Sequence, residues 1–407
     1  MKAYPGVPRR VLPLGPIVLA LSAPACATSD TPPLVQMTEQ EIAAAPNAAT
    51  CPVLADGVHC HGRVIVDPNG CPHQNPGPAG LSPSNLRSAY KISSSGSSST
   101  TIAVVEAFGY DNAEADLAVF RTQFGLPSCT SSNGCFRKVN QLGQAGPYPG
   151  QNVGWMQETA IDLDMASAIC RNCKLLLVEA NSPQFEDIAA AVQMAGDLGA
   201  HVISNSYGGD EIAGYVYDES YNYNSENVVL VASTGDVGFG QGAQFPSSSE
   251  YVVAVGGTTL TRASNFRGWT ESAWINTVSG CSQLSTKPTW QHDTGCPTKM
   301  LADVAAVADP STGVAVYGPG VDIEGNILAP AWMVMGGTSV AAPIIAGVYG
   351  VNGGTVHSTS DPYSHLSGLF DIKTGLNGFC ETDYFCNAGT GYDGPTGLGT
   401  PNGTSAF

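Results

Sequence analysis

The chain has 407 residues, 43% of them hydrophobic, enough to bury a sizeable core in one large domain or two ordinary ones. Thirty-four acidic residues against sixteen basic ones give a formal net charge of -18, and no basic cluster follows Arg9-Arg10, which argues against nucleic acid as a partner. Only 12% of residues are charged while Gly (48) and Pro (28) abound, a composition of compact extracellular enzymes rather than disordered or cytosolic chains.

At the start, Lys2, Arg9 and Arg10 precede an apolar run from about Val11 to Leu21 and then the small residues of "SAPACATS". This reads as a signal peptide over residues 1–27, with cleavage after Ala25 or Ala27; Cys26 offers lipid anchoring as an alternative. The run is too short to cross a bilayer and no later segment approaches about 20 uninterrupted apolar residues, so a secreted, monomeric protein without a transmembrane segment is expected. Residues 28–80 are rich in Pro, Ala, Asn and Gly with no sustained period at 2 or 3.6, and read as a short pro-segment or extension. At "LSPSNLRSAYKI" a Ser-Pro start precedes apolar positions at helical spacing, so the folded domain is placed at 81–407.

Strand-like and helix-like runs then alternate: "TIAVVEAF", "AEADLAVFRTQFG", "CKLLLVEA", "EDIAAAVQMAGDLG", "AHVISNSYG", "NVVLVAST" and "YVVAVGG". Nearly continuous apolar strands imply a sheet buried on both faces. The fold class expected is therefore α/β, with a mostly parallel central sheet flanked by helices on both faces and functional loops at the carboxyl ends of its strands.

Most of the twelve cysteines fall in close pairs, Cys129/Cys135, Cys170/Cys173, Cys281/Cys296 and Cys380/Cys386, with Cys51, Cys60 and Cys71 clustered upstream. Disulfides suit an oxidising compartment. Without Cys26 the count is odd, leaving one of the three upstream cysteines free or lost on processing. The single "CRNC" has no second CxxC or nearby His to make a zinc site.

"MGGTSVAAP" places Ser339 behind two glycines and a threonine at the start of a small, apolar, helix-like run, the setting of a nucleophile. None of the seven histidines stands in a setting suited to serve it; His61-Gly62 comes nearest but lies in the extension. The better base is acidic. In "WMQETAIDLDMASAIC", Glu158 and Asp162 project from one helix face a turn apart, and like charges there repel; Asp164 is turned away. "VASTGDVGFG" puts Asp236 in a glycine-flanked loop after a buried strand, where a carboxyl group can donate a hydrogen bond only when protonated.

Together these segments resemble the sedolisins, the serine-carboxyl peptidases of subtilisin-like fold, from about Leu81 to the C-terminus. "LSPSNLRSAY", "ETAID", "SNSYGGDE", "STGDVG", "FPSSSEYVVAVGGTTL", "DVAAVADPSTG" and "GGTSVAAP" carry the likeness. The resemblance implies Ser339 as nucleophile, Glu158 as general base, Asp162 as its orienter and Asp236 as oxyanion partner, with Glu106 extending the carboxyl chain and Tyr207 standing where the family has Trp. Val237 and the first glycine of "GGTS" also depart from the pattern, and the family's long pro-domain is missing. Near the C-terminus, "FDIKTG" and "NAGTGYDGPTGLGTP" mix carboxylates with Gly-rich turns, as calcium favours. The resemblance implies one structural Ca2+ held by Asp371 and Asp393 with the carbonyls of Ile372, Gly389 and Gly391. The expected activity is acid endopeptidase action on proteins or peptides; an inactive peptide-binding or cell-surface relative is the alternative.

Overall fold

The computed structural model describes residues 36–407 apart from 54–56, 215–222, 225–226, 241, 323–325 and 354–357. The expected signal peptide and Cys26 lie outside the described residues.

Helices α1 (Glu39–Ala44), α2 (Pro83–Ala89), α3 (Ala113–Gln123), α4 (Val153–Ile169) and α5 (Phe185–Asp197) precede the serine. Helix α6 (Thr338–Asn352) carries it. The Ser-Pro start of α2 works as expected, with Ser82 accepting from Asn85 N and Pro83 in the first turn, where its missing N–H costs nothing.

Among its described residues the extension contributes the short strands β1 (Asn47–Ala49), β2 (His59–Cys60) and β3 (Arg63–Ile65). After them come β4 (Thr101–Ala107), β5 (Phe136–Asn140), β6 (Lys174–Ala180), β7 (Val202–Asn205), β8 (Tyr207–Asp210), β9 (Val229–Ser233), β10 (Gln244–Phe245), β11 (Val252–Arg262) and β12 (Trp269–Ala273). A hairpin, β13 (Cys281–Thr286) with β14 (Thr298–Met300), precedes β15 (Val304–Val307), β16 (Val314–Val321) and β17 (Ile327–Gly336), and β18 (Leu369–Phe370) pairs with β19 (Thr400–Pro401).

The central sheet runs β12-β11-β9-β7-β4-β6-β5, with β15 also on β11. Every neighbouring pair is parallel except β11 with β12. Alternation along β4 shows why the sheet needs two covers: Ile102 and Val104 join the core that includes α4 and α6, whereas Ala103, Val105 and Ala107 join the one that includes α5. This is the α/β arrangement expected, a parallel sheet between helical layers.

Antiparallel pairing attaches the extension to this body. β1 pairs β3, and β3 pairs the end of β17, Val64 against Met335 and Arg63 against Gly336. β2 pairs β8, His59 against Gly208 and Cys60 against Tyr207. Ile42 and Ile65 pack with Ala79 and Val334 in a small separate core.

All four expected close cysteine pairs form disulfides, and Cys51 bonds Cys60. Cys71 is disulfide-bonded as well. Among the described residues no cysteine is free; the expectation of a spare upstream cysteine concerns a chain that has lost Cys26, which lies outside the described residues. None of the described helices is long and apolar enough to cross a membrane.

Candidate active site

Helix α4 holds the acidic pair. Asn152 caps it, accepting from Trp155 N at 3.3 Å, and every residue from Gly154 to Ile169 is buried. Glu158 and Asp162 are each 0% exposed, so the acidic face is not a solvated one. Asp162 Oδ1 accepts from Ser206 Oγ at 2.6 Å, while Asp162 Oδ2 and both Glu158 oxygens are buried without a hydrogen-bond partner. Glu106, on β4, is also wholly buried with both oxygens unpartnered. Asp164 faces elsewhere, accepting from Tyr317 N at 3.0 Å.

Ser339 sits in the first turn of α6, behind Gly337 at φ +93, a conformation favourable to glycine alone. A Cβ on Gly336 would come within 2.5 Å of Ala308 O and 2.6 Å of Pro310 N, which accounts for a glycine at this departure from the sedolisin pattern. The helix N-terminus favours negative charge developing beside the serine. Ser339 Oγ donates to Ser206 O at 3.1 Å, and Ser206 Oγ is the hydroxyl that bonds Asp162; Ser206 thus joins serine and carboxyl pair. Reading the sequence for titratable groups passes over this residue, although it lies within "SNSYGGDE".

Asp236 completes the cluster. Its Oδ1 accepts from Thr338 N and Thr338 Oγ1, both at 2.8 Å, and its Oδ2 is buried without a partner. A Cβ placed on Gly337 would lie 2.6 Å from Asp236 Oδ2 and would collide with the His61 carbonyl oxygen, so these two oxygens face the same hollow above Gly337. Tyr207 Oη donates instead to Asn205 Oδ1 at 2.5 Å, and its ring tilts against Trp155.

Burial disfavours every ionised carboxyl here. It pushes Glu158 well above the usual range, reinforced by the charge of Asp162, while the nearby Ser339 hydroxyl and Gly62 N–H pull the other way. Glu106 rises for the same reason, with Asp162 and then Glu158 adding repulsion. Burial carries Asp162 up to about 7 against the pull of Ser206, Ser204 and Glu106. It carries Asp236 to about 7 as well, against the Thr338 donors and the charge of Arg63.

His61, the nearest histidine by sequence, lies beside the cluster and is turned to Ser233. Its Nδ1 pairs with Ser233 Oγ at 2.6 Å. None of the described histidines hydrogen-bonds Ser339.

The C-terminal loop brings Asp371 and Asp393 close through one turn: Gly389 N donates to Asp393 Oδ2 at 2.9 Å, and Gly391 N to Asp371 Oδ1 at 3.1 Å. Asp393 is 1% exposed, and Ile372 is buried beside Asp371. Burial lifts Asp393 to about 7, with the charge of Asp371 a smaller contribution. Two oxygen-bearing carboxyls short of positive charge suit a hard cation; Lys373 lies 3.4 Å from Asp371 and supplies some of it. Among the described residues no group of three His, Cys, Asp or Glu gathers in a metal-ligand cluster.

Parallel sheet, buried serine helix and adjacent carboxyls define a subtilase-type scaffold, and the Subtilase family profile matches residues 150–352, from the approach to α4 through the end of α6. Sedolisin of Pseudomonas sp. (strain 101) is 34% identical over 177 residues, 38% of this chain and 28% of the relative. Kumamolisin of Bacillus sp. (strain MN-32) is 27% identical over 375 residues, 81% and 63% of the two chains. The solved structure of Pseudomonas sedolisin, a serine-carboxyl proteinase complexed with two molecules of pseudo-iodotyrostatin, matches with a TM-score of 0.67 at 25% identity, covering 80% of this chain and 96% of that one. The chain is similar to the sedolisins, the serine-carboxyl peptidases. Its match spans less than two thirds of the length of these curated relatives.

Proposed function

We propose that the protein is a secreted, acid-acting serine-carboxyl endopeptidase in which Ser339 is the nucleophile, Glu158 its general base, Asp162 the orienter of Glu158 and Asp236 the oxyanion donor. The observation that carries this reading is the buried cluster itself: a serine at a helix N-terminus shares Ser206 with an acidic pair, and a carboxyl oxygen without a partner faces the same hollow. Ser339 Oγ attacks the peptide carbonyl carbon as Glu158 takes its proton; the leaving amine then recovers a proton from Glu158, and water hydrolyses the acyl ester.

Acid action follows from the oxyanion partner. With Oδ1 engaged by two Thr338 donors, the proton of Asp236 belongs on Oδ2, where it can be donated to a developing oxyanion; such a donor is commonly worth about 10²–10³ in rate. Below about 7 Asp236 keeps that proton, and above it a negative carboxylate meets a negative oxyanion. Glu158, Asp162 and Glu106 share charge as a coupled set. Glu158 lies under Gly62, so water entering an opened cleft lowers the cost of ionising the base.

Residues 28–80 act in this reading as a pro-segment attached to the 81–407 catalytic domain, following a signal peptide over 1–27. One structural calcium is held by Asp371, Asp393 and the carbonyls of Ile372, Gly389 and Gly391; bound there, it supplies positive charge that the loop lacks. The test is digestion of a denatured protein at about pH 4. Hydrolysis that disappears in Ser339→Ala supports the reading, and a purified, folded protein that leaves such a substrate intact from about pH 3 to 8 refutes it in favour of an inactive peptide-binding relative.

A further inference from the structure

Residues 58–65 cross the carboxyl cluster as an extended strand. On the amino side, His59 and Cys60 pair antiparallel with Gly208 and Tyr207, and His61 N donates to Ser206 O at 3.1 Å, the carbonyl that also accepts from Ser339 Oγ. On the carboxyl side the strand changes partner, and Arg63 and Val64 pair with Gly336 and Met335, the residues leading into the serine helix. The change falls at His61-Gly62. The His61 carbonyl oxygen lies over Gly337 beside Asp236 Oδ2, and a Cβ on Gly62 would collide with Glu158 Oε2. Strand addition of this kind is how a sheet edge takes an extended peptide, backbone bonds giving affinity and side-chain pockets giving choice.

The His61 side chain fills such a pocket. It is 3% exposed, its Nδ1 pairs with Ser233 Oγ at 2.6 Å, and its ring lies against Gln244: a Cβ on Gly208 would stand 2.8 Å from both His61 Cε1 and Gln244 Oε1. Glycine at 208 therefore leaves room for the imidazole. His61 Nε2 and Gln244 Oε1 are both buried without a hydrogen-bond partner, and a proton on Nε2 has Gln244 Oε1 beside it as acceptor. Two polar side chains at the end of an enclosed slot are costly to cover with an aliphatic group, because each is then left unpaired.

We propose that Ser233 and Gln244 are the specificity-determining residues of the peptidase, selecting a hydrogen-bonding side chain, histidine foremost, on the acyl side of the cleaved bond, and that His61-Gly62 of the chain's own extension is presented as such a bond. The proposal rests on the peptidase reading above. Self-cleavage there joins Ser339 Oγ to the His61 carbonyl carbon as its proton passes to Glu158. The bond to Gly62 nitrogen breaks with return of that proton, and water then releases His61 as a new carboxyl terminus and restores Ser339. Thr50 N and Thr50 Oγ1 donate to Gly62 O at 2.9 and 3.0 Å, and the Cys51–Cys60 disulfide ties the amino side of the bond back to the end of β1.

The experiment uses the full chain, incubated at about pH 4 and analysed by mass spectrometry after reduction, with peptides identical except for His or Leu at the acyl position. A new terminus at Gly62, absent in Ser339→Ala, is expected, together with a preference of about tenfold or more in kcat/KM for His over Leu. Ser233→Ala should shrink that ratio, and His61→Leu should slow the self-cut. Efficient digestion with equal rates on the His and Leu peptides overturns this proposal and leaves the peptidase reading standing. No hydrolysis of any peptide and no self-cut overturns both.

Discussion

Replacing Asp236 by Asn should change how stability depends on pH, in a direction fixed by its burial. Folding raises this carboxyl from 3.8 to about 7, so the folded protein holds the proton more tightly than the unfolded chain does. The stabilising contribution is therefore full below about pH 3.8 and is lost as pH rises through about 7. At 1.36 kcal/mol for each pH unit, a rise of about three corresponds to about 4 kcal/mol lost between pH 4 and 8. Asn keeps an oxygen for the Thr338 donors, puts an amide where Oδ2 stood and never ionises, so the variant lacks this loss. The other raised carboxyls, Glu106, Glu158, Asp162, Asp164 and Asp393, titrate in both proteins and cancel in the difference except through Glu158, which the charge of Asp236 also raises. Urea unfolding of Ser339→Ala with and without Asp236→Asn, in steps across this range, avoids self-digestion. The variant should gain several kcal/mol relative to its parent on going from acid to neutral pH. A difference constant within about 1 kcal/mol would refute the claim that Asp236 is held protonated in the fold.

In activity, the same Asp236→Asn change should lower the peak rate yet flatten the decline toward neutral pH, since an amide donates at every pH; an unchanged neutral limb would assign that limb to another group. Asp162→Asn should remove most turnover with the fold intact by circular dichroism, and wild-type turnover in that variant would remove Asp162 from the mechanism. Chelation should lower the melting temperature, because an ion bound only by the native state stabilises it by about 3 kcal/mol at a hundred times its Kd. Asp393→Asn should mimic this, and a melting temperature indifferent to chelator, with no calcium found by metal analysis, would dismiss the site. Gly337→Ala should destabilise by about 1–3 kcal/mol from its positive φ and should further disturb the His61 carbonyl packed over it; a melting temperature equal to the parent's would contradict both.

Local patterns make part of this molecule readable from sequence. The strands β4, β6, β7, β9 and β11 are continuous apolar runs, and α3 and α5 show apolar positions at helical spacing, so their types emerge without tertiary knowledge. Glu158, Asp162, Asp236 and Ser339 stand in short, unusual contexts and can be singled out by residue type. What sequence does not reveal is set by contacts between distant segments. Two- and three-residue strands such as β2 and β3 have no period to detect; they are strands because Tyr207 and Gly336 offer edges to pair with. Burial of the whole of α4 is likewise invisible, because Gln157, Glu158, Asp162 and Asp164 give it the look of a wet helix. Burial then overturns the simplest pH argument, in which Glu158 titrates near an ordinary glutamate's 4.3: desolvation, reinforced by the charge of Asp162, pushes it well above that range. His61 shows the same limit: its place beside Ser233 and over Gly337 comes from contacts between segments far apart in the chain.

The central claim is that a carboxylate, not an imidazole, activates Ser339. Its most direct test is single-turnover kinetics at about pH 4 with Glu158→Gln, Ser339→Ala and the two combined, each shown to be folded. Each single change should remove nearly all turnover, and the double should be little worse than either, because members of one catalytic unit do not contribute additively. If Glu158→Gln retains more than about a tenth of wild-type turnover, a loss under about 1.4 kcal/mol, Glu158 is not the base.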